Sequence, residues 1–104
     1  EICMDWLKTS PTQWEETRFI DGYPGKYVIL ARKDVTGKWH VAGLNATKEP
    51  IKEKIALPFF EDGTVQVYSD DASFENPTLS SVKYKGKKGY QIEIAPNGGV
   101  IIEQ

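Results

Sequence analysis

The sequence predicts an all-β protein: an antiparallel two-sheet β-sandwich of about eight strands, preceded by a short N-terminal helical turn. Three observations lead there. From Thr12 onward, β-branched and aromatic residues alternate with charged ones, which is the two-residue period of a half-buried strand. Turn-forming pairs such as Asp21-Gly22, Pro24-Gly25, Asp62-Gly63 and Asn97-Gly98 interrupt that alternation at short intervals. No segment has the length or period of a crossover helix, which argues against parallel βαβ units.

The elements follow in order. Ile2, Met4, Trp6 and Leu7 form a brief apolar face that Thr9, Ser10 and Pro11 end, so residues 1–10 read as the tail of an upstream element. Residues 12–20 form the first strand, with a turn expected at Asp21-Gly22. In the second, 26–33, the run Tyr27-Val28-Ile29-Leu30-Ala31 is apolar on both faces, as in a strand covered from both sides. The third, 38–44, makes a hairpin with it and sets Trp39, Val41 and Gly43 against Lys38, His40 and Ala42. In the fourth, 51–57, Glu53 breaks the apolar face, which marks an edge or a bulge. Strands 64–69, 79–85, 90–95 and 100–104 complete the set, with Val65, Val67 and Ser69 facing inward in the fifth. Trp14, Phe19, Tyr27, Trp39 and Phe74, with the Ile, Val and Leu set, are the expected core.

Composition narrows the function. The 104 residues fit one core. With 39% apolar and 27% charged residues the chain has the makeup of a folded globular domain rather than a disordered one. Thirteen basic residues against 15 acidic ones, a net charge of −2, provide no field of one sign to draw in nucleic acid or an anionic membrane. The cluster Lys83, Lys85, Lys87 and Lys88 reads as a solubilising strand end. Cys3 is the only cysteine, so no disulfide forms within the chain. The longest apolar run, Tyr27 to Ala31, is far short of a membrane span of about 18 residues. The chain opens on Glu1 and reads as an excised piece of a longer protein.

Catalytic motifs are weak. A glycosidase needs two carboxyl groups about 5 to 10 Å apart, one of them kept protonated. Glu15 and Glu16 are neighbours in a strand, where alternation points them to opposite faces, and Glu16 is set to pair with Arg18 instead. His40, the single histidine, lacks a nucleophile motif. Asp70-Asp71 lacks the spaced ligands of a calcium loop, and Asn97-Gly98-Gly99 is a hairpin turn rather than a phosphate cradle. No catalytic, cofactor or metal residue is assigned. Sugars stack on exposed aromatic rings, and Tyr23, in the turn Gly22-Tyr23-Pro24-Gly25, is the ring expected outside the core.

A family resemblance then emerges. Pro11-Thr12-x-Trp14-x-Glu16-Thr17-Arg18, Asp21-Gly22, Gly25-x-Tyr27, Ala31-Arg32, Gly37-Lys38-Trp39 and Val41-x-Gly43 closely resemble the C-terminal β-sandwich domain of glycoside hydrolase family 97. Leu57-Pro58-Phe59-Phe60, Val67-Tyr68-x-Asp70 and Ala95-Pro96-Asn97-Gly98-Gly99 extend the likeness over nearly the whole chain. Glu15-Glu16 stands where that family often has Asp-Glu, and Lys33 where a second Arg is common. The resemblance implies that residues 1–10 end a linker or helix from an upstream (β/α)₈ barrel and that 11–104 are a non-catalytic domain. It implies a parent with a further N-terminal domain, hydrolysing α-glucosides or α-galactosides, commonly with calcium in the catalytic part and commonly periplasmic or secreted. The expected role is to support the barrel and contribute to oligomerisation, with Ile2, Met4, Trp6, Leu7 and Trp14 at the domain interface. The alternative is a carbohydrate-binding module with Tyr23 as a stacking ring.

Overall fold

A computed structural model of the chain describes residues 14–70 and 78–104, and of Trp14 and Asp70 the backbone alone. The expected interface residues Ile2, Met4, Trp6 and Leu7, the N-terminal helical turn, Cys3, Asp71 and Phe74 lie outside the described residues, as does the side chain of Trp14.

Among the described residues eight strands form: β1 (Trp14–Tyr23), β2 (Tyr27–Asp34), β3 (Trp39–Asn45), β4 (Ile51–Ile55), β5 (Gly63–Asp70), β6 (Thr78–Tyr84), β7 (Tyr90–Ile94) and β8 (Gly99–Glu103). They build a six-stranded sheet in the order β1-β2-β3-β8-β5-β6 and a two-stranded sheet, β4-β7. Every pairing is antiparallel. Glu53 does sit on an edge strand, since among the described residues β4 pairs with β7 alone.

The expected turn at Asp21-Gly22 is displaced. β1 continues to Tyr23 and the chain reverses over 24–26, where the Lys26 amide donates to the Tyr23 carbonyl at 2.9 Å. Asp21 serves the strand instead, accepting from the Gly22 amide at 2.9 Å and from the Tyr27 hydroxyl at 3.1 Å. Pro24-Gly25 makes the tighter turn because Gly25 takes a φ of 77° without a Cβ clash.

The core lies between the sheets. Ile29, Ala31, Val41, Val65, Val100 and Ile102 from the larger sheet meet Ile55, Ile92 and Ile94 from the smaller, and Leu57 lies with them. Alternation delivers each of these inward, so burial follows from register. Phe19 does not join them: it is 66% exposed, because its register partner is Leu30, on the face opposite Ile29 and Ala31. Trp39 and Tyr27 pack against the core only in part. Aromatic filling comes instead from a chain of rings. Trp39 stacks on Phe59 with centroids 4.5 Å apart, Phe59 meets Phe60 edge-on, and Phe60 meets Tyr84 edge-on. Tyr84 is buried to 2% exposure because its hydroxyl has a partner, donating to the Leu57 carbonyl at 2.8 Å.

One buried amide ties the two sheets together. Asn45 ends β3, is 3% exposed, and donates to the carbonyls of Glu49, Ile94 and Ala95. Its oxygen accepts from the Thr47 amide and hydroxyl. The β3–β4 and β7–β8 crossings therefore meet at a single side chain.

Candidate interaction surface

Register places a continuous apolar row on the outer face of the six-stranded sheet. Phe19 pairs with Leu30, Leu30 with Ala42, Ala42 with Ile101, Ile101 with Tyr68, and Tyr68 with Leu79. The row crosses all six strands. Its middle is buried, with Ala42 at 2% and Ile101 at 5%, while its ends on the edge strands are open, Phe19 at 66% and Leu79 at 60%. Leu44 and Tyr68 pack beside Ala42 and Ile101 as a second, smaller cluster.

The run Val28 to Leu30 now takes on a different meaning. β2 lies inside its sheet, yet Val28 and Leu30 are only half-buried, so one of the two faces that the sequence marks as apolar remains partly open. Val28 and Leu44 continue into a groove of about 380 Å³ bounded by Phe19, Tyr23, Pro24 and Ala46. Gly22 forms part of this groove: a Cβ there would lie 2.9 Å from the Tyr27 carbonyl oxygen and 3.2 Å from the Phe19 ring. Tyr23 is 60% exposed, with the Lys26 ammonium 5.1 Å from its ring centroid. The groove is lined mostly by carbon. A sugar requires hydrogen-bonding groups as well as a ring, so these walls suit an apolar protein contact better than a saccharide.

A polar row runs beside the apolar one: Thr17, Arg32, His40, Glu103, Gln66 and Ser81 are successive register partners. His40 is bracketed by carboxylates, with Nε2 2.8 Å from Asp34 and Nδ1 against Glu103. Both ring nitrogens donate in this arrangement only as the imidazolium. Asp34 also closes the β2–β3 hairpin, accepting from the Thr36 amide and hydroxyl and from the Lys38 amide. The hydrogen bond from His40, aided by those from Thr36 and Lys38, holds the Asp34 carboxyl well below the usual carboxylate range. A depressed folded value means stability that is present above the unfolded value of about 4 and is lost as pH falls below it. The thermal midpoint should therefore drop between pH 5 and pH 2, and Asp34→Asn should flatten that drop while lowering the midpoint at pH 7. An identical pH profile in the variant would refute the assignment.

The glutamate pair is closer than strict alternation allows. A register shift between Trp14 and Glu16 brings Glu15 to 3.7 Å and Glu16 to 3.9 Å from the Lys33 ammonium. Glu16 also accepts from Arg18 Nε at 2.5 Å, as their shared face predicts, and that hydrogen bond lowers its pKa. A general acid needs the opposite shift. Arg18 in turn lies over Trp39, its guanidinium carbon 4.6 Å from the ring centroid. Among the described residues, no three His, Cys, Asp or Glu side chains are arranged to hold a metal ion. No helix among them is long and apolar enough to cross a membrane.

The sequence reading did not single out Leu30, Ala42, Tyr68, Leu79 or Ile101 as interaction residues. Their signal was the apolar residue on both faces of 27–31 and 100–102, together with Leu79 sharing one face of its strand with the polar Ser81 and Lys83.

Comparison with known proteins agrees with the fold. A crystal structure of a β-arabinopyranosidase is 48% identical, with a TM-score of 0.79; the match covers 99% of this chain and 16% of that one. A variant of a Glycoside Hydrolase Family 97 enzyme from Pseudoalteromonas sp. strain K8 is 20% identical, with a TM-score of 0.68, 95% of this chain and 17% of that one covered. A complex of an enzyme from the same strain with panose is 21% identical, with a TM-score of 0.67 and the same coverage. At these identities the latter two show the fold alone. This chain thus spans about a sixth of the length of the solved structures it matches. The model of the family described as "Glycosyl-hydrolase 97 C-terminal, oligomerisation" matches residues 13–103, so the chain belongs to the C-terminal domain family of glycoside hydrolase family 97.

Proposed function

We propose that this domain is a non-catalytic brace of a glycoside hydrolase, and that the outer face of its six-stranded sheet packs against the catalytic part of the same polypeptide. The observation that carries the reading is the apolar row from Phe19 to Leu79, which crosses every strand of that sheet and is left open at both ends. β1, the first strand among the described residues, is the edge strand that carries Phe19, so an upstream part of the protein would join beside this face. Residues 1–10, with Ile2, Met4, Trp6 and Leu7, and Trp14 just beyond them, would run along the same seam. The description of the family as an oligomerisation domain supports a further contribution to subunit association.

The parent's reaction is read as hydrolysis of α-galactosides or α-glucosides. A β-arabinopyranosidase as a similar structure favours the former, because in the L series a β-arabinopyranoside is an α-D-galactopyranoside lacking its C6 hydroxymethyl group. In this reading the catalytic carboxylates and calcium belong to the upstream part, and the enzyme works in the periplasm or outside the cell.

The test uses the full-length parent carrying Phe19→Asp together with Leu79→Lys. Both side chains are exposed in the domain, so the 104-residue chain should keep its own melting temperature within about 2 °C. The parent's catalytic part should melt several degrees lower and lose activity on heating. If its melting is unchanged while subunits dissociate, the face is an inter-subunit contact and the bracing role is wrong.

A further inference from the structure

The six-stranded sheet has two edges, and they are protected to different degrees. An edge strand offers unpaired amides and carbonyls to any other strand, so folded chains blunt it with charges, bulges or proline. β1 carries Glu15, Glu16, Arg18 and Asp21 and two shifts of register against β2. In the smaller sheet, β4 places Lys52, Glu53 and Lys54 in a row, and β7 is only five residues long and contains Glu93. β6, at the other edge of the larger sheet, has none of these devices over residues 78–82. That stretch, Thr78-Leu79-Ser80-Ser81-Val82, is uncharged and pairs residue for residue with β5 without a shift. Its first four residues are exposed, and among the described residues β6 pairs with β5 alone.

Chemistry bounds the open stretch at both ends. Pro77 precedes it in the sequence and has no amide hydrogen for a ladder. Beyond Val82 the chain turns towards β7: Tyr84 is buried, and Lys85 bridges to Gly89 across the turn. The five open residues match a second copy of themselves. An antiparallel two-fold pairing that uses all of them centres on Ser80, which meets its own counterpart, and sets Leu79 opposite Ser81 and Thr78 opposite Val82. Paired residues then share a face, as strand alternation requires, and no like charges oppose each other. The same axis brings the two Leu79 side chains, each 60% exposed, to diagonal positions on the outer face. The apolar row of one copy thus runs on into that of the other, a continuation that an unrelated peptide would not supply.

We propose that residues 78–82 of β6 are where two copies of this domain join, their six-stranded sheets running on as one across a two-fold axis at Ser80. The inference rests on the reading of the domain as one that associates subunits, which the family's description supports, and not on the bracing role. The experiment is analytical ultracentrifugation of the 104-residue chain, in which no catalytic part is present to be braced. One strand pair with Leu79 makes less than a standard interface of about 1,600 Å², so a monomer–dimer equilibrium with a dissociation constant of order 10 to 100 µM is expected. Ser80→Lys sets like charges across the axis and should weaken association about tenfold or more, as should Ser80→Glu. Mixed in equal amounts, the two variants should associate again, because opposite charges then meet at the axis. Ser80 is exposed, so the melting temperature of each should stay within about 2 °C of wild type. Thr17→Lys, at an exposed position on β1, should leave association unchanged. The proposal is overturned if the chain stays monomeric up to about 1 mM, if Ser80→Lys associates as well as wild type, or if the mixture of the two variants does not associate. It is equally overturned if Thr17→Lys weakens association as much as Ser80→Lys, which would move the contact to β1. None of these outcomes bears on the bracing role, which is tested by the melting of the parent.

Discussion

Asn45→Ala should lower the stability of the chain by about 3 to 4 kcal/mol, a large share of what a domain of this size has. The side chain satisfies three carbonyls and two Thr47 groups at the point where both inter-sheet crossings meet. Truncation removes the partner and leaves the Ile94 carbonyl without its amide donor, in a part of the fold where water must enter to replace it. At about 4 °C per kcal/mol or more for a domain near 100 residues, the midpoint should fall by at least 12 °C. Asn45→Asp is the sharper probe. Near pH 7 its carboxylate would face three carbonyl oxygens and should destabilise at least as much as alanine. On acidification its protonated form can donate once and should recover part of the loss. A thermal or urea unfolding curve for Asn45→Ala within about 1 kcal/mol of wild type would show that the crossings are held by their backbone bonds alone, such as Asn97 to Thr47 and Asn45 to Gly98.

Gly43→Val should cost about 3 kcal/mol, through overpacking rather than lost contacts. Gly43 lies in β3 beneath the smaller sheet, and a Cβ built there would stand 2.7 Å from Ile94 Cδ1 and 3.2 Å from Val100 Cγ1. The nearest atom is the tip of a flexible side chain, so Gly43→Ala should be absorbed by a rotamer change of Ile94 and cost less than about 1 kcal/mol. Valine adds two methyl groups that no single rotamer can clear, and β7 must then lift from β3. The contrast between the two substitutions is the measurement. Equal costs would mean that the sheets are not held close at this point.

Two features of this protein are thus contacts of close approach, and neither is visible in a pattern of apolar residues. Asn45 lies just beyond the predicted third strand, and Gly43 is one more small residue on the face it shares with Val41. Only the three-dimensional crossing of β3 over β7 gives them their weight. The turn after β1 was misplaced for a related reason. Asp21-Gly22 is a turn signal by local chemistry, but Asp21 finds a longer-range partner in Tyr27, and the Phe19 ring lies against Gly22, so pairing with β2 carries the strand past both.

The amino-acid sequence by itself determined the strand count and order, the face shared by Trp39, Val41 and Gly43, the inward placement of Val65 and Val67, the pairing of Glu16 with Arg18, and the break at Glu53 that marks the fourth strand as an edge or a bulge. Each rests on local chemistry: a two-residue period, a turn-forming pair, a charge within reach of its neighbour. Tertiary structure decided which strands share a sheet, and with that everything functional. The row from Phe19 to Leu79 draws one residue from each of six strands, spaced 60 positions apart at its ends, so no window of sequence contains it. Periodicity tells a side chain which face it is on; only the register of neighbouring strands tells it what stands beside it.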